Sequence, residues 1–288
     1  MITKASKCPK EVLERVSNFV YRNGDFSKEN FSLCANPIEV NRALASSDSW
    51  YVLIANQPTA LFKLEISEPM ANISQICVDD DDSLEAVVSS LRQDLRNMRI
   101  TDISLRVTPN DMESLTARGF EKRVSYVKFS RVSAETKMMP ILPLVNTTRK
   151  DLPILSRLMY DAYSKTDDAF SDIQSAEKSL RSIISGAWGQ YLSDASFASG
   201  TSQNLVSACL LTADSPDEAR IAQLFTHPLY RARGLATTEI AVAMNRLVAS
   251  GIGNLVVWNR ESDDVVRRLL TKMDFKEGRR VVEMVART

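Results

Sequence analysis

Residues 222–236 read AQLFTHPLYRARGLA, and this stretch narrows the possible folds more than any other. The apolar run Ile221 to Phe225 has strand character, and Thr226-His227-Pro228 stops it. A basic loop, Tyr230-Arg231-Ala232-Arg233, leads to Gly234. Leu235, Ile240, Ala243, Met244 and Leu247 then recur at helical spacing. The order is strand, glycine-containing loop, helix. The first turn of a helix carries N–H groups with no intrahelical acceptor, which favour an anion, and glycine lets the backbone come close to it. With arginines in the loop, the stretch is suited to holding phosphate.

The rest of the chain repeats that order. In the first half, Pro9–Tyr21 and Pro37–Ala45 read as helices, and Trp50–Ala55, Leu61–Ile66 and Ile73–Val78 as strands. Leu84, Val87, Val88, Leu91 and Leu95 mark an amphipathic helix. A strand at Ile103–Val107, a short helix at Met112–Ala117 and a strand at Val124–Phe129 follow. In the second half, helices are expected near Leu152–Ala162 and at Ile173–Ile184. A hairpin of Ser196–Ala198 with Leu205–Leu211, turning at Ser199-Gly200-Thr201-Ser202, precedes the phosphate loop. The strand Leu255–Trp258 and the helix Asp264–Lys272 come after it. Leu115…Gly119-Phe120 answers Leu270…Asp274-Phe275. At the strand-to-helix junction the halves differ: the second has Arg-Ala-Arg-Gly, the first has Asp79 to Asp82 and no glycine. Four carboxylates suit a helix N-terminus and would repel a pyrophosphate. A solvated cap is the expectation for them, in preference to a metal cluster.

Arg231-Ala232-Arg233-Gly234-Leu235-Ala236 reads as Q/R-x-x-G-x-G/A, which resembles the acyl-CoA pyrophosphate loop of the GNAT N-acetyltransferase superfamily. The resemblance covers about residues 140–288 and extends to the first half as a degenerate copy. It implies an α+β fold of two GNAT-like domains, each a mixed, mostly antiparallel sheet flanked by helices. The expected division is 1–134, lacking the phosphate loop, and 135–288, binding acyl-CoA. Met138, Met139, Ile141 and Leu142 in the connecting segment are expected to pack on a domain, as its first strand or beside it.

The resemblance further implies acetyl-CoA-dependent N-acetyl transfer to a small amine or an amino terminus, with acetyl-CoA as co-substrate and no metal. The pantetheine arm is expected along Leu224, Phe225 and Thr226. The pyrophosphate is expected at Arg231, Ala232, Arg233, Gly234, Leu235, Ala236 and Thr237. Arg233 or Arg268 is the candidate for the 3′-phosphate, against a solvated surface charge. The family places N-x-x-A-x-x-L-Y where this chain has Asp263, Val266, Leu269 and Leu270, so the tyrosine that serves relatives as general acid is a leucine. Candidate bases are His227, the sole histidine, and Glu218. Tyr163, Asp167 and Asp168 sit in the loop expected over the acceptor, and Trp188 and Tyr191 either line its pocket or pack. The competing reading is a non-catalytic acyl-CoA-binding or protein-interaction protein.

Composition removes other classes. Lys+Arg and Asp+Glu are both 36 in 288 residues, so no bulk basic field points to nucleic acid or an anionic membrane. No apolar run approaches the ~18 residues of a membrane span, and the first residues, MITKASKCPKEV, have no signal-peptide core. Cys8, Cys34, Cys77 and Cys209 are scattered, which suits a reduced cytoplasmic chain. With a single histidine and no C-x-x-C, zinc is not expected. A monomer or homodimer is equally compatible.

Overall fold

A computed structural model describes residues 1–23, 34, 36–46, 50–54, 58–67, 69–79, 84–166, 168–201 and 203–288. Two compact units emerge, Met1–Tyr126 with Arg280–Thr288, and Val127–Arg279. The observed division thus falls eight residues before the boundary placed at 134/135 in the sequence, and the last nine residues join the first unit. That return could not be read from composition, because the final strand has the same apolar pattern whichever sheet it enters.

The first unit holds strands β1 (Ile2–Lys4), β2 (Trp50–Ile54), β3 (Pro58–Ser67), β4 (Met70–Val78) and β5 (Asp102–Val107). They hydrogen-bond in sequence order, antiparallel except for the parallel pair β4 and β5. The C-terminal residues Val282–Arg287 complete the sheet, pairing antiparallel with β5. Helices α1 (Lys10–Arg22) and α2 (Pro37–Ala45) bury Val16, Phe19, Val20, Val40 and Leu44 with Trp50, Leu61 and Cys77. Asn36 caps α2 by accepting from the Glu39 N–H at 3.0 Å. Helix α3 (Leu84–Asn97) buries Val87, Val88, Leu91 and Leu95 against Phe62, Ile73, Leu105 and Met284. Each such side chain stabilises the fold by ~1.5–3 kcal/mol. Asp80 to Asp82 lie outside the described residues. Asp79, expected as part of a solvated cap, is instead 5% exposed and lies 3.7 Å from Arg15. A carboxylate taken out of water requires such a partner.

The second unit holds the sheet order β6–β12–β11–β10–β9–β7. These are Val127–Val132 of β6 (Glu121–Val132), β12 (Asn254–Arg260), β11 (Glu218–Thr226), β10 (Asn204–Ser215), β9 (Phe197–Thr201) and β7 (Leu144–Asn146). A short strand, β8 (Gln190–Tyr191), adds to β10. Helices α5 (Leu152–Tyr163) and α6 (Ile173–Ile184) bury Leu155, Met159 and Leu180 with Leu210 and Phe225. Helices α7 (Leu235–Ala249) and α8 (Asp264–Lys272) bury Ile240, Met244, Leu247 and Leu270 with Leu211, Ile221 and Val257. The connecting segment forms no strand before Leu144, and Met138, Met139 and Ile141 are exposed. Polar bonds hold it to α7: the Thr136 N–H donates to Asn245 Oδ1 at 2.7 Å, and Asn245 Nδ2 donates back to the Thr136 carbonyl at 3.0 Å.

The internal repeat is visible in matched backbone details. Helices α3 and α7 both end in a left-handed residue, Arg99 (φ 64°) and Gly251 (φ 75°), and both then bond back, Ile100 N–H to Leu95 O and Ile252 N–H to Leu247 O. After α4 (Met112–Thr116) comes Gly119 (φ 74°); after α8 comes Asp274 (φ 60°). Phe120 and Phe275 then bond to Leu115 O and Leu270 O and are buried. Asp is among the few side chains that tolerate this conformation, which is why it stands where the first copy has glycine.

Candidate functional site

Strand β11 is paired along one edge with β10 up to Ser207 opposite Thr226. Along its other edge the parallel ladder with β12 covers only Glu218 opposite Asn254, Ala219 opposite Leu255 and Arg220 opposite Val256. Beyond Arg220 the two strands diverge, although β11 continues to Thr226 and β12 to Arg260. The facing backbone groups from Ile221 to Thr226 therefore form an open edge, able to bond an extended ligand main chain. The first unit has the same design: its β4–β5 ladder reaches Ile73 opposite Leu105, while β4 runs on to Val78.

At the end of the open edge the chain turns through a single helical turn, Pro228–Tyr230, into the loop. Ala232 (φ 59°) and Gly234 (φ 79°) are both left-handed, and Gly234 is the N-cap of α7. Alternating backbone signs of this kind turn successive N–H groups towards one point, an anion nest. The amides of Leu235, Ala236 and Thr237 belong to the first turn and have no intrahelical acceptor; the first bond of the helix runs from the Thr238 N–H to Gly234 O. The donor set fits a pyrophosphate, with no carboxylate in the loop itself.

The arginines of the loop are tied down. Arg231 donates from Nε to the Thr226 carbonyl at 3.2 Å and from Nη2 to the Ala162 carbonyl at the end of α5. Arg233 donates to the Leu229 carbonyl at 3.1 Å and lies 5.2 Å over the Tyr230 ring. Arg268 is exposed on α8, its Nε bonded to the Asp264 carbonyl of its own helix. Asp263 caps α8, accepting from the Val265 and Val266 N–H groups at 3.1 and 3.0 Å.

The two candidate bases fare differently from their sequence reading. Glu218 begins β11, roughly 26 Å of strand from Thr226, and is ion-paired to Lys128 at 3.2 Å. The structure does not bring it to the loop. His227 is beside the loop, but its Nδ1 accepts from the Leu229 N–H at 3.3 Å, capping the turn. In a neutral ring that leaves Nε2 carrying the proton, while the Nδ1 lone pair is engaged by the Leu229 N–H. Leu270 is fully buried in the core.

The mouth of the divergence is lined from α5. Tyr163 donates to Gln223 Oε1 at 3.0 Å and packs on Phe170 and Phe225. Burial pushes its hydroxyl up to about 12, reinforced by Asp168 and Asp263 and opposed by Arg231 and Arg260. Asp168 forms an ion pair with Arg260 at the end of β12. Asp167 lies outside the described residues. Tyr191 is fixed by Thr147, 2.6 Å from its hydroxyl, and packs against the α5–α6 core. Trp188 is 38% exposed.

One polar residue of consequence was absent from the sequence reading. Glu239, on α7, is fully buried. Its Oε1 accepts from Ser199 Oγ at 2.6 Å and its Oε2 from Ser207 Oγ at 2.9 Å. Ser199, expected in the hairpin turn, is instead a buried residue of β9, which runs on to Thr201. The signal in the sequence was positional. Glu239 falls four residues after Leu235 and four before Ala243, on the apolar stripe of α7.

Strand divergence and helix order are those of the GNAT fold, and the chain carries that fold in tandem. Among solved structures, a GCN5-related N-acetyltransferase from Sphaerobacter thermophilus matches with a TM-score of 0.68 at 11% identity, covering 100% of this chain and 95% of that one. A tandem GNAT protein from the clavulanic acid biosynthesis pathway, determined without AcCoA, matches with a TM-score of 0.66 at 12% identity, covering 100% and 97%. A GNAT-family acetyltransferase from Colwellia psychrerythraea matches at 0.55 and 9% identity, covering 92% and 96%. No family model matches the chain, and no curated protein matches it in sequence. Among the described residues no helix is long and apolar enough to cross a membrane, and no His/Cys/Asp/Glu group could hold a metal ion.

Proposed function

We propose that this protein is an acetyl-CoA-dependent N-acetyltransferase, acting on a small amine or an amino terminus, with the co-substrate held by the second unit. The observation that carries the reading is the divergence of β11 from β12 beyond Arg220, ending at the Ala232–Gly234 nest. An extended pantetheine would pair with Leu224 to Thr226, and the pyrophosphate with the loop and first-turn N–H groups. The corresponding junction of the first unit carries Asp79 to Asp82 in sequence and no glycine, so acyl-CoA is not expected to bind there.

Chemistry at this site rests on placement and backbone electrostatics. A backbone N–H of the β11 edge would polarise the thioester carbonyl as the amine attacks. Tyr163, with its hydroxyl near 12, is a weaker acid than the thiol it would protonate, whose pKa is ~8.5 by analogy with cysteine. It therefore orients Gln223 and the acceptor rather than supplying a proton. The attacking nitrogen becomes positively charged in the tetrahedral intermediate, and its proton balances the thiolate that leaves. Because a thiolate is a good leaving group, Leu270 in the tyrosine's place is compatible with turnover.

Thermal-shift titration with acetyl-CoA on the wild type and Gly234→Glu tests the site. A ligand at a hundred times its Kd stabilises the folded state by ~2.7 kcal/mol. The expected result is a shift that Gly234→Glu abolishes, followed by amine-dependent release of free thiol in an acceptor screen. No shift with acetyl-CoA or longer acyl-CoAs overturns the reading. The capped His227, the distant Glu218 and the buried Leu270 favour one alternative, a non-catalytic acyl-CoA-binding protein. It predicts the shift without thiol release.

A further inference from the structure

Four hydroxyl or carboxyl groups form an unbroken chain from the core to the end of the open strand edge. Ser199 Oγ lies 2.6 Å from Glu239 Oε1, and Glu239 Oε2 lies 2.9 Å from Ser207 Oγ. Ser207 Oγ is in turn 2.8 Å from Thr226 Oγ1, and 3.3 Å from the Phe225 carbonyl. Ser199, Ser207 and Glu239 are buried; Thr226, the last residue of β11, is half-buried. Of the strands packed on this face of α7, the titratable group brought to Glu239 is Cys209 of β10, a neutral thiol held high by burial. Desolvation pushes the Glu239 carboxyl up to about 8, against the serine hydrogen bonds that favour its ionised form.

Counting protons gives the chain a direction. With Glu239 neutral, Oε2–H donates to Ser207, Ser207 donates to Thr226 Oγ1 or to the Phe225 carbonyl, and the Thr226 hydroxyl has its proton available for a group outside the chain. With Glu239 ionised, both carboxylate oxygens accept, Ser207 must donate to Oε2, and Thr226 donates inward to Ser207. Thr226 then offers the open edge only lone pairs.

We propose that Glu239 is a positioning residue of the acyl-CoA site: through Ser207 it orients the Thr226 hydroxyl, so that the end of β11 presents a donor to a carbonyl of the bound acyl-CoA. This rests on the acyl-CoA reading given above. Glutamine at position 239 is nearly isosteric and donates permanently, so it reproduces the neutral acid without its titration.

The test is calorimetric titration of acetyl-CoA between pH 6.5 and 9.5 on the wild type, Glu239→Gln, Ser207→Ala and Thr226→Val. For the wild type, Kd is constant up to about pH 8 and then rises several-fold to a plateau, the level of Thr226→Val, as Glu239 ionises and the Thr226 hydroxyl turns inward. Glu239→Gln matches the wild type at pH 6.5 and stays flat to pH 9.5. Ser207→Ala and Thr226→Val bind several-fold more weakly at pH 6.5 and lose the alkaline dependence. A wild-type profile flat to pH 9.5, or a Glu239→Gln profile that keeps the alkaline rise, overturns the proposal while leaving acyl-CoA binding intact. Absence of acetyl-CoA binding at every pH overturns the acyl-CoA reading itself and the proposal with it. Circular dichroism checks folding; if Glu239→Gln fails to fold, the Thr226→Val and wild-type profiles still decide.

Discussion

The Arg231 guanidinium spans two elements, bonding the Thr226 carbonyl at the end of β11 from Nε and the Ala162 carbonyl at the end of α5 from Nη2. It is a brace on the anion loop as well as a positive charge. A hydrogen bond from a charged group contributes ~1.5–3 kcal/mol. Arg231→Lys keeps the charge and loses the forked geometry. It is expected to weaken acetyl-CoA binding by about tenfold, since ~1.4 kcal/mol is a factor of ten. Titration calorimetry that finds unchanged affinity would limit Arg231 to a role as charge.

Gly234 combines a φ of +79° with a close neighbour, Ile141 Cδ1, which a Cβ would meet at 3.1 Å. A non-glycine residue in the left-handed region costs ~1–2 kcal/mol. Gly234→Ala should lower stability by that amount, and adding Ile141→Ala should restore only the minor, steric share. Thermal denaturation of the two single variants and the pair separates the contributions. Full restoration by Ile141→Ala would show that backbone conformation is not the constraint.

Tyr163 titrates well above an ordinary phenol because it is buried. Its folded value exceeds its unfolded one, so its contribution to stability is whole below about pH 10 and is lost as pH rises towards about 12. Tyr163→Phe should flatten that alkaline decline. At pH 7 it should cost about 1–3 kcal/mol by leaving Gln223 without its partner. Phenolate absorbance against pH, with stability measured in parallel, checks both.

Met284 is fully buried among Leu105, Phe62 and Leu91 of the first unit, although it lies near the end of the chain. Met284→Ala should destabilise that unit by about 2–5 kcal/mol. Hydrogen exchange is expected to quicken in α3, β4 and β5. Unchanged protection there would contradict the pairing of residues 282–287 with β5.

Cys77 and Cys209 are buried, whereas Cys8 and Cys34 are partly exposed, and none of the four is in a disulfide. A thiol reagent at pH 8 should therefore modify Cys8 and Cys34 first. Cys209, whose pKa burial holds well above the ordinary value, should react only when the second unit opens. Peptide mapping after brief labelling that finds Cys209 modified early would show that the core around Glu239 is accessible.

Periodicity carried most of the architecture. The apolar stripe of α3, the uninterrupted helix Ile173–Ile184 and the matched Phe120 and Phe275 turns are local patterns, and local patterns are written in sequence. The loop from Arg231 to Gly234 was legible for the same reason: strand, glycine and helix are adjacent in the chain. What sequence could not carry depended on partners distant in the chain. Ser199 and Ser207 become ligands of Glu239 only because the register of β9, β10 and β11 aligns them beneath α7. His227 was a candidate base in the sequence, and the bond from the Leu229 N–H to its Nδ1 is a contact of the folded turn. The methionines of the connecting segment were expected to pack on a domain; they are exposed, and Thr136 and Asn245 hold that segment to α7 through polar bonds.

Because Arg280–Thr288 supply the final strand of the first unit, that unit cannot be completed until the second unit, Val127–Arg279, has been made. Its first 126 residues leave the ribosome with the β5 edge unpaired and wait through the synthesis of the whole second unit. At ~5–20 residues per second this interval lasts many seconds. An unpaired strand edge is a template for association with other chains, so the order of synthesis makes β5 the segment of this protein most in need of protection while it is new.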